Sequence, residues 1–427
     1  MNLGDERATG NAGMKDQILA FHWVQQNIRN FGGNPGSVTL MGYSAGSWSI
    51  SLHMLSPMSR GLFHRAIMMS GSSINSEDLP ENQRNVALIQ ARALNCSTAT
   101  NDEMMECFYS KSTDDFVKSL TEVFASTDNP ILLWTPVIEK EYYGDVKNEQ
   151  PFLTTPPVEL FQQRKGNFVP LVAGCTKEEF KASAAFIEEA ALRGDNSGFD
   201  KLNNQWDEVV PIYVGYERNT SRSHYISKEF REFYTHNETI GVGHWAGTDK
   251  LWTDSVVFQI HRMTQLMTTF TCQPVYNYMF AYSGCESFAK WSNGSNIGVG
   301  HQDELLLLFK MGQFPEVCDR DKKTLGRLTG IVESFAKTGR PIPADNHDYS
   351  NVNWETTTKD DPKYLKIDEE LSMVNGIIYE DRMNKWDELF PLPPAADSEQ
   401  CPHHEHDDHC HHHHHHHHNH HNHQHHH

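Results

Sequence analysis

Apolar residues recur at helical spacing between Lys15 and Phe31, where Ile18, Phe21, Val24, Ile28 and Phe31 fall on one face. Gly32-Gly33-Asn34-Pro35-Gly36 then breaks the chain, because neither glycine nor proline sustains a helix. A short β-branched and apolar run from Ser37 to Met41 predicts a strand. It ends in Gly42-Tyr43-Ser44-Ala45-Gly46, and Ile50, Leu52 and Met54 then open a second helix. Arg65-Ala66-Ile67-Met68-Met69 reads as a strand buried on both faces, with Gly71 turning out of it. This order of helix, strand, turn, helix and strand is the rhythm of an α/β fold with a mainly parallel sheet.

Farther along, Ser76 to Ser126 is helical and loop-rich. Thr135-Pro136-Val137-Ile138 and the run from Phe168 to Gly174 are apolar with proline near their starts, which suits strand entry. Residues 182–267 read mainly as helices, and Val275 to Phe280 as another strand. A loop from Ser283 to Gly300 leads to His301-Gln302-Asp303-Glu304 and the apolar Leu305 to Phe309. The helix expected from Thr324 to Thr338 puts Leu328, Ile331, Val332 and Phe335 on one face, and Tyr364 to Ile367 and Arg382 to Phe390 complete the pattern. Pro391-Leu392-Pro393-Pro394 closes the globular part, so residues 1–395 are expected to form one domain. Residues 396–427 form a histidine-rich tail, mostly histidine from His403 on with scattered polar residues, a composition expected to be disordered.

Charge and cysteine content narrow the function classes. Over 427 residues the formal net charge is -20, which argues against a nucleic-acid partner, since phosphate binding needs clustered Lys and Arg. No stretch approaches the roughly 20 apolar residues of a membrane span. Met1 to Arg7 resembles neither a signal nor a transit peptide. Yet eight cysteines and the sequons at Asn95, Asn219, Asn237 and Asn293 point to an oxidising, glycosylating compartment, and so to secretion. Cys96 and Cys107 bracket a polar stretch that a disulfide would close, or they are two unrelated thiols; pairing of Cys175, Cys272, Cys285, Cys318, Cys401 and Cys410 is open. Imidazoles in the density of the tail can take up zinc, copper or nickel ions, although a low-complexity expansion without function is the plainer reading.

Gly-x-Ser-x-Gly between a strand and a helix is the pattern of a nucleophile elbow. Ser44 is the candidate nucleophile, and the Ala45 N–H, at a helix N-terminus, is the candidate oxyanion donor. A serine at its free pKa is a weak nucleophile, so it needs a general base and an acid that orients the base. In an elbow fold these follow in the order serine, acid, histidine. Glu179, just past a predicted strand, and His301, in a glycine-bearing loop past a later one, fit that order. Only order and position separate Glu179 from Glu178. Such chemistry requires no metal or organic cofactor.

The residues then resemble a known family. Asn11 to Gln17, Trp23 to Ile28, Phe31-Gly32-Gly33-Asn34-Pro35, Gly42 to Gly46, Leu55-Ser56-Pro57, Gly174-x-Thr-Lys-x-Glu179, Gly298-x-Gly-His301-x-Asp-Glu304, Phe335 to Gly339, and Arg382 with Trp386 are together similar to the type-B carboxylesterase and cholinesterase family. The resemblance implies an α/β-hydrolase fold and hydrolysis of carboxylic esters. It also implies Ser44 as nucleophile, Glu179 as triad acid, His301 as base and a Cys96 to Cys107 disulfide. Three departures stand out. The family's glycine-rich oxyanion loop and first strands lie upstream of the elbow, so the resemblance implies an N-terminally truncated product with reduced or no activity. Ser47 and Phe180 stand where the family often has glycine, and Phe180 bears on the Glu179 loop. The family's C-terminal disulfide has no clear counterpart. The competing expectation is a non-catalytic adhesion or binding protein of the same fold, against which the full set of triad residues argues.

Overall fold

The computed structural model describes residues 1–126 and 132–395. The histidine-rich stretch, with Cys401 and Cys410, lies outside the described residues, and so does the expectation of metal uptake there. Six strands form one sheet in sequence order: β1 (Thr39–Tyr43), β2 (Arg65–Met69), β3 (Leu171–Thr176), β4 (Val275–Phe280), β5 (Lys363–Ile367) and β6 (Leu371–Asn375). The first five run parallel, and β6 returns antiparallel to β5.

The central strands β2 and β3 are largely apolar and buried because both faces are covered. In β2, Ala66 and Met68 join the core packed by Ile18, Ile50 and Met263, while Ile67 and Met69 point the other way, toward Leu328, Ile331 and Phe335. In β3, Leu171 and Ala173 share the first face and Val172 the second. Each fully buried Leu, Ile or Phe stabilises the fold by about 1.5–3 kcal/mol. The first layer is built by α1 (Ala12–Asn27), α2 (Ala45–His53) and the Ala246–Phe270 helix, and the second by the Lys322–Thr338 helix.

Several expectations meet a different outcome. Thr135 to Ile138 is not a strand. The Asn11 side chain takes the place of a neighbouring strand there, accepting from Val137 N–H (2.9 Å) and donating to its carbonyl (2.8 Å). Leu305–Leu308 makes a single helical turn, and β6 has no apolar alternation that would announce it. On α1 the expected face is only partly covered. Ile18 is buried, yet Phe31, just beyond the helix, is exposed, as are Leu19 and Trp23, because β1 is the edge of the sheet and α1 flanks it on one side only.

Cys96 is disulfide-bonded to Cys107, and Cys285 to Cys318. Cys272 is also disulfide-bonded, and Cys175 is a buried free thiol. Among the described residues no helix is long and apolar enough to cross a membrane.

Candidate active site

The C-terminal ends of β1, β2 and β3 and the loop after β4 converge at one edge of the sheet. Ser44 sits between β1 and α2 with φ 52° and ψ -118°, a region that costs a non-glycine residue roughly 1–3 kcal/mol and persists only where the surroundings enforce it. Those surroundings are close. A Cβ on Gly42 would come within 2.7 Å of the Gly46 carbonyl carbon, and one on Gly71 within 2.6 Å of the Ser44 carbonyl oxygen. Ser44 N–H donates to Met69 O at 2.8 Å, and the Ser47 hydroxyl donates to Gly71 O, so the turn is fastened to the strand beside it. Ser47 thereby gains a partner at a position where glycine would make none. Tyr43, Ala45 and Gly46 are exposed, and the Ala45 N–H opens the first turn of α2.

Glu179 is buried just beyond β3. Its Oε1 accepts from Thr176 N–H (2.8 Å) and the Ser70 hydroxyl (2.5 Å), and its Oε2 meets His301 Nδ1 at 2.6 Å. Three donors thus converge on this one carboxylate. The His301 N–H also donates to the Glu179 carbonyl at 2.8 Å. Burial disfavours the imidazolium, but the charge and hydrogen bond of Glu179, with Glu304 and Asp303 behind, outweigh it and raise the His301 pKa above its ordinary value. The Phe180 ring centroid lies 5.0 Å from the imidazole and that of Tyr43 6.2 Å away. Phe180 thus packs beside His301 while Glu179 keeps its hydrogen bonds. Among the described residues Ser44 Oγ makes no hydrogen bond. The structure therefore joins Glu179 to His301 directly and sets Ser44 on the neighbouring turn.

The two adjacent glutamates do different things. Glu178 Oε2 accepts from Val299 N–H at 2.7 Å, and its Oε1 pairs with Lys181 at 3.2 Å. The sequence presents Glu178 only as a rival to Glu179 for the triad acid, and it gives Asp303 and Glu304 no role of their own. Asp303 accepts from Gly300 N–H and Phe288 N–H, both at 2.8 Å, and from the Ser287 hydroxyl; burial lifts its pKa to about 6 against these bonds. Glu304 is buried too. Its Oε1 accepts from the Tyr278 hydroxyl at 3.1 Å while Oε2 has no hydrogen-bond partner, and burial together with the Glu179 charge lifts its pKa to about 7. The signal for all three lay in the clustering of acids within motifs already singled out, but charge density alone does not say which acid faces inward.

All four sequon asparagines are exposed, and Asn293 Oδ1 already accepts from Ser295 N–H and its hydroxyl. Among the described residues, one group of metal-binding side chains clusters tightly, Cys285, Cys318 and Asp321, and its two sulfurs are bonded to each other.

A model of the carboxylesterase family matches residues 1–386. The chain is 30% identical to Esterase E4 of Myzus persicae over 349 residues, which is 80% of this chain and 60% of that protein. It is 27% identical to Carboxylic ester hydrolase of Bombus ignitus over 380 residues, covering 85% of this chain and 63% of the other. With Juvenile hormone esterase of Tribolium castaneum the identity is 28% over 382 residues, again 85% and 63% of the two chains. The chain thus spans about 60% of the length of these relatives.

Proposed function

Because the chain belongs to the carboxylesterase family and has its α/β-hydrolase architecture, we propose that it is a serine esterase that cleaves carboxylic esters through an acyl-enzyme on Ser44. The observation that carries this reading is the 2.6 Å contact of the buried Glu179 carboxylate with His301 Nδ1, at the sheet edge where the strained turn presents Ser44.

Glu179 fixes the tautomer in which Nδ1 carries the proton, leaving Nε2 free to act as base. As Ser44 Oγ attacks the ester carbonyl, its proton passes to Nε2, and the imidazolium is stabilised by Glu179. Negative charge on the carbonyl oxygen is met by the Ala45 N–H and the positive end of α2. The tetrahedral intermediate collapses as His301 returns the proton to the departing alcohol. Water then repeats the sequence: His301 deprotonates it, it attacks the acyl carbon, and the acid leaves with Ser44 restored. Each oxyanion donor is worth on the order of 10² to 10³ in rate, so turnover depends on what accompanies Ala45. The disulfide-bonded Cys96, Cys107, Cys272, Cys285 and Cys318 and four exposed sequons support secretion and glycosylation at Asn95, Asn219, Asn237 and Asn293.

The test pairs turnover of a short-chain chromogenic ester with covalent labelling by a fluorophosphonate, on this chain and on Ser44→Ala. Labelling at Ser44 with turnover abolished by Ser44→Ala is the expected result. A well-folded chain that neither labels nor turns over, including when embedded in a parent as long as its relatives, would replace the esterase with the binding-protein alternative.

A further inference from the structure

Three consecutive amides precede or belong to the histidine, and each has its own acceptor. The Val299 N–H goes to the Glu178 carboxylate at 2.7 Å, the Gly300 N–H to the Asp303 carboxylate at 2.8 Å, and the His301 N–H to the Glu179 carbonyl at 2.8 Å. Val299 is held on both sides, since its carbonyl also accepts from the Glu178 N–H at 2.9 Å. One residue therefore brackets the whole backbone of Val299, two positions before the imidazole. The approach is so close that a Cβ on Gly298 would sit 2.2 Å from Glu178 Oε2. Gly298 has no positive φ to explain it, so the glycine at this position serves the approach of that carboxylate.

We propose that Glu178 is a positioning residue for His301: its carboxylate and N–H clamp Val299, through a gap that only glycine at 298 leaves, and so set the imidazole against Ser44. The inference rests on the esterase reading and extends it. The pair of glutamates after β3 divides the work, Glu179 orienting the ring and Glu178 orienting the backbone that carries it. Lys181, 3.2 Å from Glu178 Oε1, holds the free side of the carboxylate, so the group is fixed at both oxygens. A displacement of about 1 Å at a reacting group can cost on the order of 100-fold in rate, while the ester site itself is untouched.

The test compares Glu178→Ala, Glu178→Gln, Gly298→Ala and the double variant Glu178→Ala/Gly298→Ala. Two readouts are used: kcat and KM for a chromogenic ester, and amide hydrogen exchange in the peptide spanning Val299 to His301. We expect Glu178→Ala to lower kcat by about 10- to 100-fold with KM within twofold and to speed exchange in that peptide by at least tenfold, with the Ser44 peptide unchanged. Glu178→Gln keeps an amide oxygen for Val299 and should recover most of both. Gly298→Ala should reproduce Glu178→Ala, and the double variant should be no worse than either, because both remove one interaction. Glu178→Ala with kcat within twofold and unaltered exchange overturns the proposal, and so does an equal loss in Gln and Ala variants. If Ser44→Ala leaves turnover intact, it is the esterase reading that has failed, and the exchange readout alone still decides whether Glu178 holds the loop.

Discussion

Replacing Glu179 by Gln isolates what its charge and acceptor oxygens do, because the side chains have nearly the same shape. Glu179 Oε1 serves two donors, Thr176 N–H and the Ser70 hydroxyl, so the amide oxygen of the substituted side chain will take that side. The NH2 of the amide then faces His301 Nδ1, where the carboxylate now lies at 2.6 Å. An NH2 there requires Nδ1 to be unprotonated, so the proton moves to Nε2 and the base is blocked. The size of the effect follows from the tautomer: the corresponding swap in the worked Ser-His-Asp system costs about 10⁴ in kcat, and a loss on the order of 10³ to 10⁴ with KM little changed is expected for Glu179→Gln. A second signature comes from titration. The hydrogen bond and the charge of Glu179 both favour the imidazolium, and the amide supplies neither. Since Glu179 raises the His301 pKa, wild-type activity is lost as pH falls through that raised value, and the acid limb of the variant's residual kcat/KM should move to lower pH. The assay is a pH–rate profile of ester hydrolysis on both proteins, with thermal melts to confirm folding. A variant within tenfold of wild type, or an acid limb that stays in place, would falsify this reasoning.

Other consequences follow from neighbouring groups. Glu304 has a folded pKa of about 7 against an ordinary 4.5. The native state therefore holds this proton more tightly than the unfolded chain, and wild type loses stability as pH rises from 4.5 to 7, so Glu304→Gln should gain on the order of 3 kcal/mol relative to wild type at pH 8 and nothing below pH 4, read as ΔTm at the two pH values. Gly42→Ala drives a Cβ against the backbone of Gly46; a loss of about 1–3 kcal/mol in denaturant melts, with weakened fluorophosphonate labelling of Ser44, is expected. Arg382 pairs at 2.6 Å with the fully buried Asp254, so Arg382→Met leaves a buried carboxylate without its cation and should cost about 3–5 kcal/mol, whereas a change under 1 kcal/mol would show that Asp254 is satisfied by Tyr234 alone.

Much of this architecture was legible because its causes are local. The strained turn needs glycines on either side, and Gly42 and Gly46 announce it in five residues. The buried strands β2 and β3 announce themselves because both faces must be apolar. What stayed hidden depends on partners distant in the chain. No local pattern says that Asn11 will stand in for a strand beside Val137, that β6 will fold back on β5, or that Phe31 will be left uncovered at a sheet edge. Likewise, Glu178 and Glu179 are indistinguishable until Val299 and His301 arrive to take one each.

The in-order parallel sheet also dictates when such a site can come into being. Glu179 reaches back 109 residues to Ser70 and forward 122 to His301, so no fragment of local structure contains even two of the three side chains in contact. Parallel pairing of distant strands is slow because chain closure must precede any reward. During refolding, helical signal should therefore recover first, and capture of the fluorophosphonate by Ser44 last, in step with docking of β4. The molecule would pass through a long interval in which it is largely helical and still chemically inert, a sequence of events in which reactivity serves as the clock for the final long-range closure.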